Sequence, residues 1–314
     1  MESVPRKSAV NYVISIVGPT GIGKSRLALR LAQKYNGEII NADSRQVYRY
    51  MNIGTAKPVP EELSLIRHHI IDILEPSESF NLAHYQAHAY KTIDDVQQRQ
   101  KLPLLVGGSG LYIWSVLEGW KIPEVPPNPQ LRIILERKAA NNGTDELYQE
   151  LVAVDPTTAQ KIHPRNTRRV IRALEVHKNT GIPFFQRPQK QAPPFCTFII
   201  GLTTERAELY RRIDRRVDRM IERGLIAEVE NLVNMRYDFS LPAMSGISYR
   251  QIGMFLKGEL TLEAAILRIK YETHRFVRHQ YAWFQLNDKR IHWFDIQKHP
   301  DTDIEIELNK IIKE

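Results

Sequence analysis

A chain of 314 residues, 42% hydrophobic and 25% charged, carries enough apolar material to bury a full core as a globular protein. No apolar run approaches the ~20 residues of a membrane-spanning helix, and the single cysteine, Cys196, excludes an intrachain disulfide. A net charge of +8 suits an anionic partner such as nucleic acid or a phosphate-rich ligand. Residues 1–8 contain no apolar export signal, so the expected location is the cytoplasm. Cys196, flanked by Phe195 and an apolar run, reads as a buried structural thiol.

Residues 12–17 form an apolar run that predicts a buried strand leading into Gly18-Pro-Thr-Gly21-Ile-Gly23-Lys24-Ser25. Residues 25–32 follow as a helix, with Leu27 and Leu31, and Ala28 and Ala32, spaced four apart. A second strand over 37–42 runs into Asp43-Ser44, and a third is predicted over 69–74. Residues 81–100 read as a helix with Leu82, Tyr85, Ala89, Ile93 and Val96 on one face. A fourth strand, 102–106, ends in Gly107-Gly-Ser109-Gly110, and a helix follows over 111–117.

A linker rich in proline at 122–129 then interrupts the pattern. Polar helical sequence continues to about 179, and a second proline-rich stretch occupies 182–194. Residues 195–201 read as a returning core strand, the remainder to about 285 as helix, and 301–314 as a peripheral helix or frayed tail. The expected fold is α/β: a P-loop NTPase-like parallel sheet flanked by helices, with an inserted helical subdomain and a helical C-terminal part. The expected segments are a core over 8–125, the inserted subdomain over 126–188 as an RNA-binding element, and 189–314.

The motif G-x-x-x-x-G-K-[ST] is complete and lies in its strand-to-helix context. Gly18, Pro19, Thr20, Gly21, Ile22, Gly23, Lys24 and Ser25 are therefore the candidate polyphosphate cradle. Its glycines let amides converge, the following helix directs its positive end at an anion, Lys24 supplies a charge, and Ser25 offers a hydroxyl to Mg²⁺. Asp43, at the carboxyl end of the second strand, reads either as a proton acceptor for an attacking nucleophile or as a turn cap. No core strand ends in a clear acid of the ATP-hydrolysing kind, the strand expected to include Asp72 being the weak counterexample.

Several strings occur together in one order: the phosphate loop, Asp43-Ser-Arg-Gln-Val-Tyr48, Ile53-Gly-Thr-Ala-Lys57-Pro58 and Pro103-Leu-Leu-Val-Gly-Gly-Ser-Gly-Leu-Tyr112. His163-Pro-Arg-Asn-Thr-Arg-Arg-Val-Ile-Arg-Ala-Leu-Glu175 and Ser248-Tyr-Arg-Gln251 follow. Across residues 12–295 the chain resembles the bacterial tRNA dimethylallyltransferases. The resemblance implies transfer of a prenyl group from dimethylallyl diphosphate to the exocyclic amine of an adenosine beside the anticodon, with release of pyrophosphate.

It implies Asp43 as general base, with Lys24, Ser109, Arg212 and Arg216 completing the catalytic set. Arg206, Arg211, Arg215, Arg219 and Arg223 read instead as a solvated helix face. The tRNA contacts it implies are Asp43, Ser44, Arg45, Gln46, Ser109, Arg132, Arg168, Arg169, Arg172, Ser245, Gly246, Ile247, Ser248, Tyr249, Arg250, Arg275, Arg278, His279 and Gln280. Trp283 and Phe284 read as core. His68 and His69 have no third residue at metal-ligand spacing. Ser109 stands where the family commonly has Thr and keeps the hydroxyl, whereas His279 and Gln285 fall where arginines are common. The expected partners are the tRNA anticodon stem-loop and the prenyl donor, with the protein a monomer. The rival readings are an adenylate isopentenyltransferase, an ATP-dependent small-molecule kinase and a pure RNA-binding module. Prenyl transfer offered to AMP and to tRNA separates the first from the tRNA-modifying reading, and ATP turnover on a hydroxyl acceptor marks the second.

Overall fold

The structure, a computed structural model, describes residues 11–122, 128–181, 183–184 and 190–313. These fall into two compact units, one built from the chain up to Gly119 and again from Ala192, the other from Trp120–Gln191. The expected segment limits at 8, 125–126 and 188–189 lie outside the described residues, as do most of the prolines of the first proline-rich stretch.

In the larger unit the order is β1 (Tyr12–Val17), α1 (Lys24–Lys34), β2 (Gly37–Asn41), α2 (Pro60–Leu65), β3 (His68–His69), α3 (Leu82–Gln98), β4 (Leu102–Val106) and α4 (Gly110–Leu117). The second unit holds α5 (Pro129–Asn142), α6 (Thr144–Val154), α7 (Pro156–Ala159) and α8 (Thr167–Thr180). The chain returns with β5 (Cys196–Thr203), α9 (Arg206–Glu222), α10 (Leu225–Asn234), α11 (Tyr249–Leu256), α12 (Leu262–Trp283), β6 (Ile291–Asp295) and α13 (Asp301–Lys313).

The six strands form one parallel sheet in the order β3-β2-β4-β1-β5-β6. Strands β2 and β4 are buried throughout and β1 almost so, which explains why they read as continuous apolar runs rather than alternating ones. In register, Ile16 lies between Val106 of β4 and Ile200 of β5. Because β4 slots between β1 and β2, the loops leaving all three strands converge at one carboxyl edge. A crevice at that edge is where ligands bind in open α/β sheets.

Two strand expectations need correcting. The run expected as a strand over 69–74 pairs with β2 only at His68–His69. Ile70 and Asp72 take left-handed φ angles of 60° and 55°, which turn the backbone off the sheet. The Asp72, Ile73 and Leu74 amides then donate to the Gln46 and Val47 carbonyls, so the apolar run packs against the loop after β2. The sequence reading also missed β6, whose Ile-His-Trp-Phe-Asp has mixed polarity because it is an edge strand buried on part of its length. Cys196 is half-buried at the first residue of β5, not enclosed, because the strand becomes fully buried only from Phe198.

The second unit has its own apolar core, including Leu135, Leu147, Leu151, Ile162, Val170 and Leu174. On the buried face of α8, Glu175 takes Arg132 and Arg172 at 2.8 and 2.7 Å and the Asn128 amide at 2.8 Å. These partners satisfy a carboxylate that would otherwise be costly to bury.

Candidate active site

The phosphate loop leaves β1 at Gly18, whose φ of 135° and distance to the Leu202 carbonyl both exclude a side chain: an added Cβ would lie 2.5 Å from that oxygen. Helix α1 starts at Lys24 and anchors itself by burying Leu27, Ala28, Leu31 and Ala32, the four residues of the expected stripe. Lys24 folds back so that its Nζ donates to the Gly18 and Pro19 carbonyls, each at 2.9 Å. Ile22 is buried in the core and, with Gly18 and Pro19, does not line the cavity; the cradle surface comes from Thr20, Gly21, Gly23, Lys24 and Ser25.

These residues form one side of a cavity of about 600 Å³. The loop after β2 supplies Asp43 and Gln46, the loop after β4 supplies Gly107 and Gly108, and residues 53–59 supply a further wall. From α9 come both Arg212 and Arg216, with Arg212 Nε donating to the Gly21 carbonyl at 3.1 Å. Desolvation pushes the Lys24 ammonium down to about 7, with Asp43 opposing that shift and Arg216 reinforcing it. Burial likewise holds Arg216 below the usual guanidinium value, against the attraction of Asp43. The one carboxylate thus acts on both cations.

Asp43 is held by its own loop. Its amide donates to Asn41 Oδ1 at 3.1 Å and its Oδ1 accepts the Arg45 amide at 2.8 Å. Ser109 caps α4, and its Oγ accepts the Ser44 amide at 3.1 Å, tying the loops after β2 and β4 together. Gln280 of α12 is only 3% exposed. Its Oε1 accepts the Thr20 amide at 2.8 Å, and its Nε2 donates to the Gly108 carbonyl at 3.0 Å. The phosphate loop, the Asp43 loop and the Gly107–Ser109 loop are therefore braced as one assembly.

Asp72, the weak candidate for an ATP-hydrolysing acid, follows no core strand and is paired with the buried Lys57. Lys57 also donates to the Tyr48 carbonyl and to Asn52 Oδ1 at 3.1 Å, and its burial lowers its pKa against the pull of Asp72. His68 bonds the Ile66 carbonyl and His69 the Glu38 carboxylate. Among the described residues no cluster of His, Cys, Asp or Glu has the geometry of a metal site.

A family model described as IPP transferase matches residues 46–287. The chain belongs to the IPP transferase family. It is 50% identical over 273 residues to the tRNA dimethylallyltransferase of Roseiflexus sp. strain RS-1, covering 87% of this chain and 90% of that protein. With the tRNA dimethylallyltransferase of Thermomicrobium roseum the identity is 47% over 284 residues, covering 90% and 86%. The full-length tRNA isopentenylpyrophosphate transferase of Bacillus halodurans superposes with a TM-score of 0.69 at 39% identity, covering 96% of this chain and 97% of that one. A eukaryotic dimethylallyltransferase, crystallised acting on tRNA, superposes with a TM-score of 0.81 at 30% identity, covering 95% and 78%. The chain is accordingly an enzyme of the transferase class with a P-loop-like α/β fold.

Among the expected RNA-contacting residues of this IPP transferase, Asp43 and Gln46 line the cavity, and Ser44, Arg45 and Ser109 stand beside it. Arg45 reaches the Pro242 and Ala243 carbonyls at 2.5 and 3.3 Å and Ser245 Oγ at 3.4 Å. Arg168, Arg169, Arg275, Arg278 and His279 are exposed, Arg278 also bonding the Tyr210 hydroxyl. Three side chains lie elsewhere than a surface contact requires: Ser248, Tyr249 and Gln280 are buried. Gln280 is the loop brace described above. Gly246 is buried and Ile247 half-buried in the turn before α11, while Arg250 pairs with Glu272. Arg132 and Arg172 are spent on Glu175. Phe284 is core as expected, and Trp283 lies over Gly110 with part of its surface exposed.

The structure adds residues the sequence reading passed over. Glu228 of α10 accepts the amides of Asn52 and Ile53 at 2.9 and 2.7 Å on Oε2, and that of Gly54 at 3.0 Å on Oε1. The Tyr249 hydroxyl donates to the same Oε1 at 2.7 Å. Tyr249 packs so tightly on Gly54 that a Cβ there would lie 2.6 Å from its ring. Arg215, Arg219 and Arg223, expected on a solvated face, are exposed and also line the cavity beside Arg212 and Arg216. Their four-residue spacing was visible, but nothing in the sequence told which side of α9 faces the phosphate loop.

Proposed function

We propose that this IPP transferase moves a dimethylallyl group from dimethylallyl diphosphate to the exocyclic N6 amine of the adenosine adjacent to the anticodon of tRNA, releasing pyrophosphate. The observation that carries this reading is Asp43: the carboxylate that acts on both Lys24 and Arg216 in a phosphate-binding cavity, where an incoming amine can be met. The amine nitrogen bonds to the first prenyl carbon as the carbon–oxygen bond to the diphosphate breaks. Its proton passes to Asp43, acting as general base. An aromatic amine is a poor nucleophile, so orientation by Asp43, whose loop Ser109 braces through the Ser44 amide, is as important as proton removal.

Negative charge gathers on the leaving diphosphate. Lys24, the amides of Gly21 and of residues 23–25 and the forks of Arg212 and Arg216 are placed to bind it more tightly as the bond breaks. The exposed Ser25 hydroxyl at the start of α1, lining the cavity, fits a Mg²⁺ ion, which takes most of its ligands from phosphate and water. Bound there, Mg²⁺ would neutralise charge on the leaving group. The acceptor base must be turned out of its loop to reach this cavity, and the exposed arginines of α8 and α12 supply phosphate contacts for the RNA.

An Asp43→Asn variant tests the role of the carboxylate. Turnover should fall ~10²–10⁴-fold, while pyrophosphate affinity holds or rises because a charge opposing the anion is gone. Turnover within a fewfold of the parent would remove Asp43 as the base.

A further inference from the structure

The cavity holds more positive charge than a diphosphate and its catalytic clamp require. Eight lysines and arginines line it against two acids, Asp43 and Glu62. Arg212 and Arg216 serve the phosphate loop, and Lys57 is neutralised by Asp72. Besides Lys24 in the phosphate loop and Arg26 in the first turn of α1, there remain Arg215, Arg219 and Arg223, spaced four apart and so stacked as one row along α9 and its C-cap. Arg215 shares Glu208 with Arg211. Arg219 and Arg223 have no acid within ion-pair distance among the described residues, and Arg219 bonds only the Arg215 carbonyl. Arg219 is close enough to Arg216 to disfavour its charge. Like charges crowded into a cleft without counter-charges are an arrangement that an anion relieves.

Which anion follows from where the row lies. Of the residues expected to meet RNA, only Asp43 and Gln46 line this cavity. Ser109 and the segment from Ser245 to Arg250 stand outside it. The arginine row belongs to α9, the helix whose Arg212 bonds the phosphate-loop carbonyl of Gly21, and it shares the cavity with Ser25 and Arg26 at the start of α1. We infer that Arg219 and Arg223, continuing the line of Arg215, form a capture track that draws the diphosphate of the prenyl donor to the phosphate loop, separate from the acceptor side of Asp43. This inference rests on the donor reading above. The track acts on arrival and holding of the anion and touches no reacting atom.

The test compares the parent with Arg219→Gln/Arg223→Gln and with Arg219→Lys/Arg223→Lys, all sites being exposed. Inorganic pyrophosphate binding and steady-state turnover with dimethylallyl diphosphate and unmodified tRNA are measured from low to high salt. The glutamine pair should lower kcat/KM for the donor roughly tenfold at low salt, chiefly through KM. It should weaken pyrophosphate binding in step and flatten the salt dependence of both. The KM for tRNA should hold, and the lysine pair should restore the donor values because the track needs charge and not a fork. Unchanged donor KM and salt slope in an active enzyme would overturn the track, and so would a rise confined to the KM for tRNA, which would mark an RNA contact. A parent that binds pyrophosphate with the expected slope but transfers no prenyl group would instead overturn the donor reading and leave the anion track standing.

Discussion

Replacing Glu228 by Gln tests how the wall formed by residues 52–57 is held. The carboxylate meets four donors, two on each oxygen: the Asn52 and Ile53 amides at 2.9 and 2.7 Å, the Gly54 amide at 3.0 Å and the Tyr249 hydroxyl at 2.7 Å. A glutamine amide offers one oxygen, so whichever way it turns, two donors face an NH₂ group. Two lost hydrogen bonds to a charged acceptor, with their donors left unsatisfied in a largely buried place, amount to roughly 3–5 kcal/mol. For a unit of this size that is a fall in Tm of roughly 6–20 °C, read by calorimetry or thermal circular dichroism. Tyr249→Phe alone should cost ~1–2 kcal/mol. The double variant should cost less than the sum, because Glu228→Gln already deprives Tyr249 of its acceptor in one amide orientation. Since residues 53–59 line the cavity, the KM for the donor should rise at temperatures where the variant is folded. A Tm within ~2 °C of the parent, or strictly additive costs, would refute the clamp.

Other outcomes follow from the same geometry. Lys24 sits at about 7 before an anion binds, and a bound diphosphate favours its charged form, so its pKa rises on binding. Below pH 7 the group is already charged; above it, binding takes up a proton and weakens by up to ~10-fold per pH unit. Titration calorimetry with pyrophosphate at pH 8 in two buffers should show this uptake, and a Lys24→Met variant with the same buffer dependence would contradict it. Glu38, held by Arg99, Lys101 and His69, has a pKa well below that of a free carboxylate. Its stabilisation is therefore complete above the unfolded value and is lost as pH falls through the folded one. Glu38→Gln should cost ~2–4 kcal/mol at pH 7 with the gap to the parent narrowing in acid; a constant gap would show that its charge is immaterial. Arg168→Ala on the exposed face of α8 should weaken tRNA binding and reduce the salt slope by ~0.7–0.9, and an unchanged slope would rule out a phosphate contact there.

The sequence carried the elements whose determinants are local. The buried runs 12–17, 37–42 and 102–106, and the four-residue spacings of α1 and α3, are properties of neighbouring residues, and they appear as strands and helices in place. So does the phosphate loop, because its glycines and Lys24 lie within one turn of chain. What failed depends on distant partners. The run at 70–74 is apolar enough for a strand, but the loop after β2 takes its amides. Gln280 lies 260 residues from Thr20, so its service as a brace leaves no local signal. The outward arginines of α9 could not be told from the inward ones, because the helix carries basic residues on both sides of its apolar stripe of Leu209, Ile213, Val217 and Met220.

The most direct measurement incubates the purified protein with dimethylallyl diphosphate, Mg²⁺ and unmodified tRNA, digests the RNA and weighs its nucleosides by mass spectrometry. We expect adenosine carrying one dimethylallyl group, at the position beside the anticodon, with one pyrophosphate released per transfer. A gain on AMP with none on tRNA would contradict the RNA acceptor. No gain on either, with ATP turned over on a hydroxyl acceptor, would contradict prenyl transfer itself.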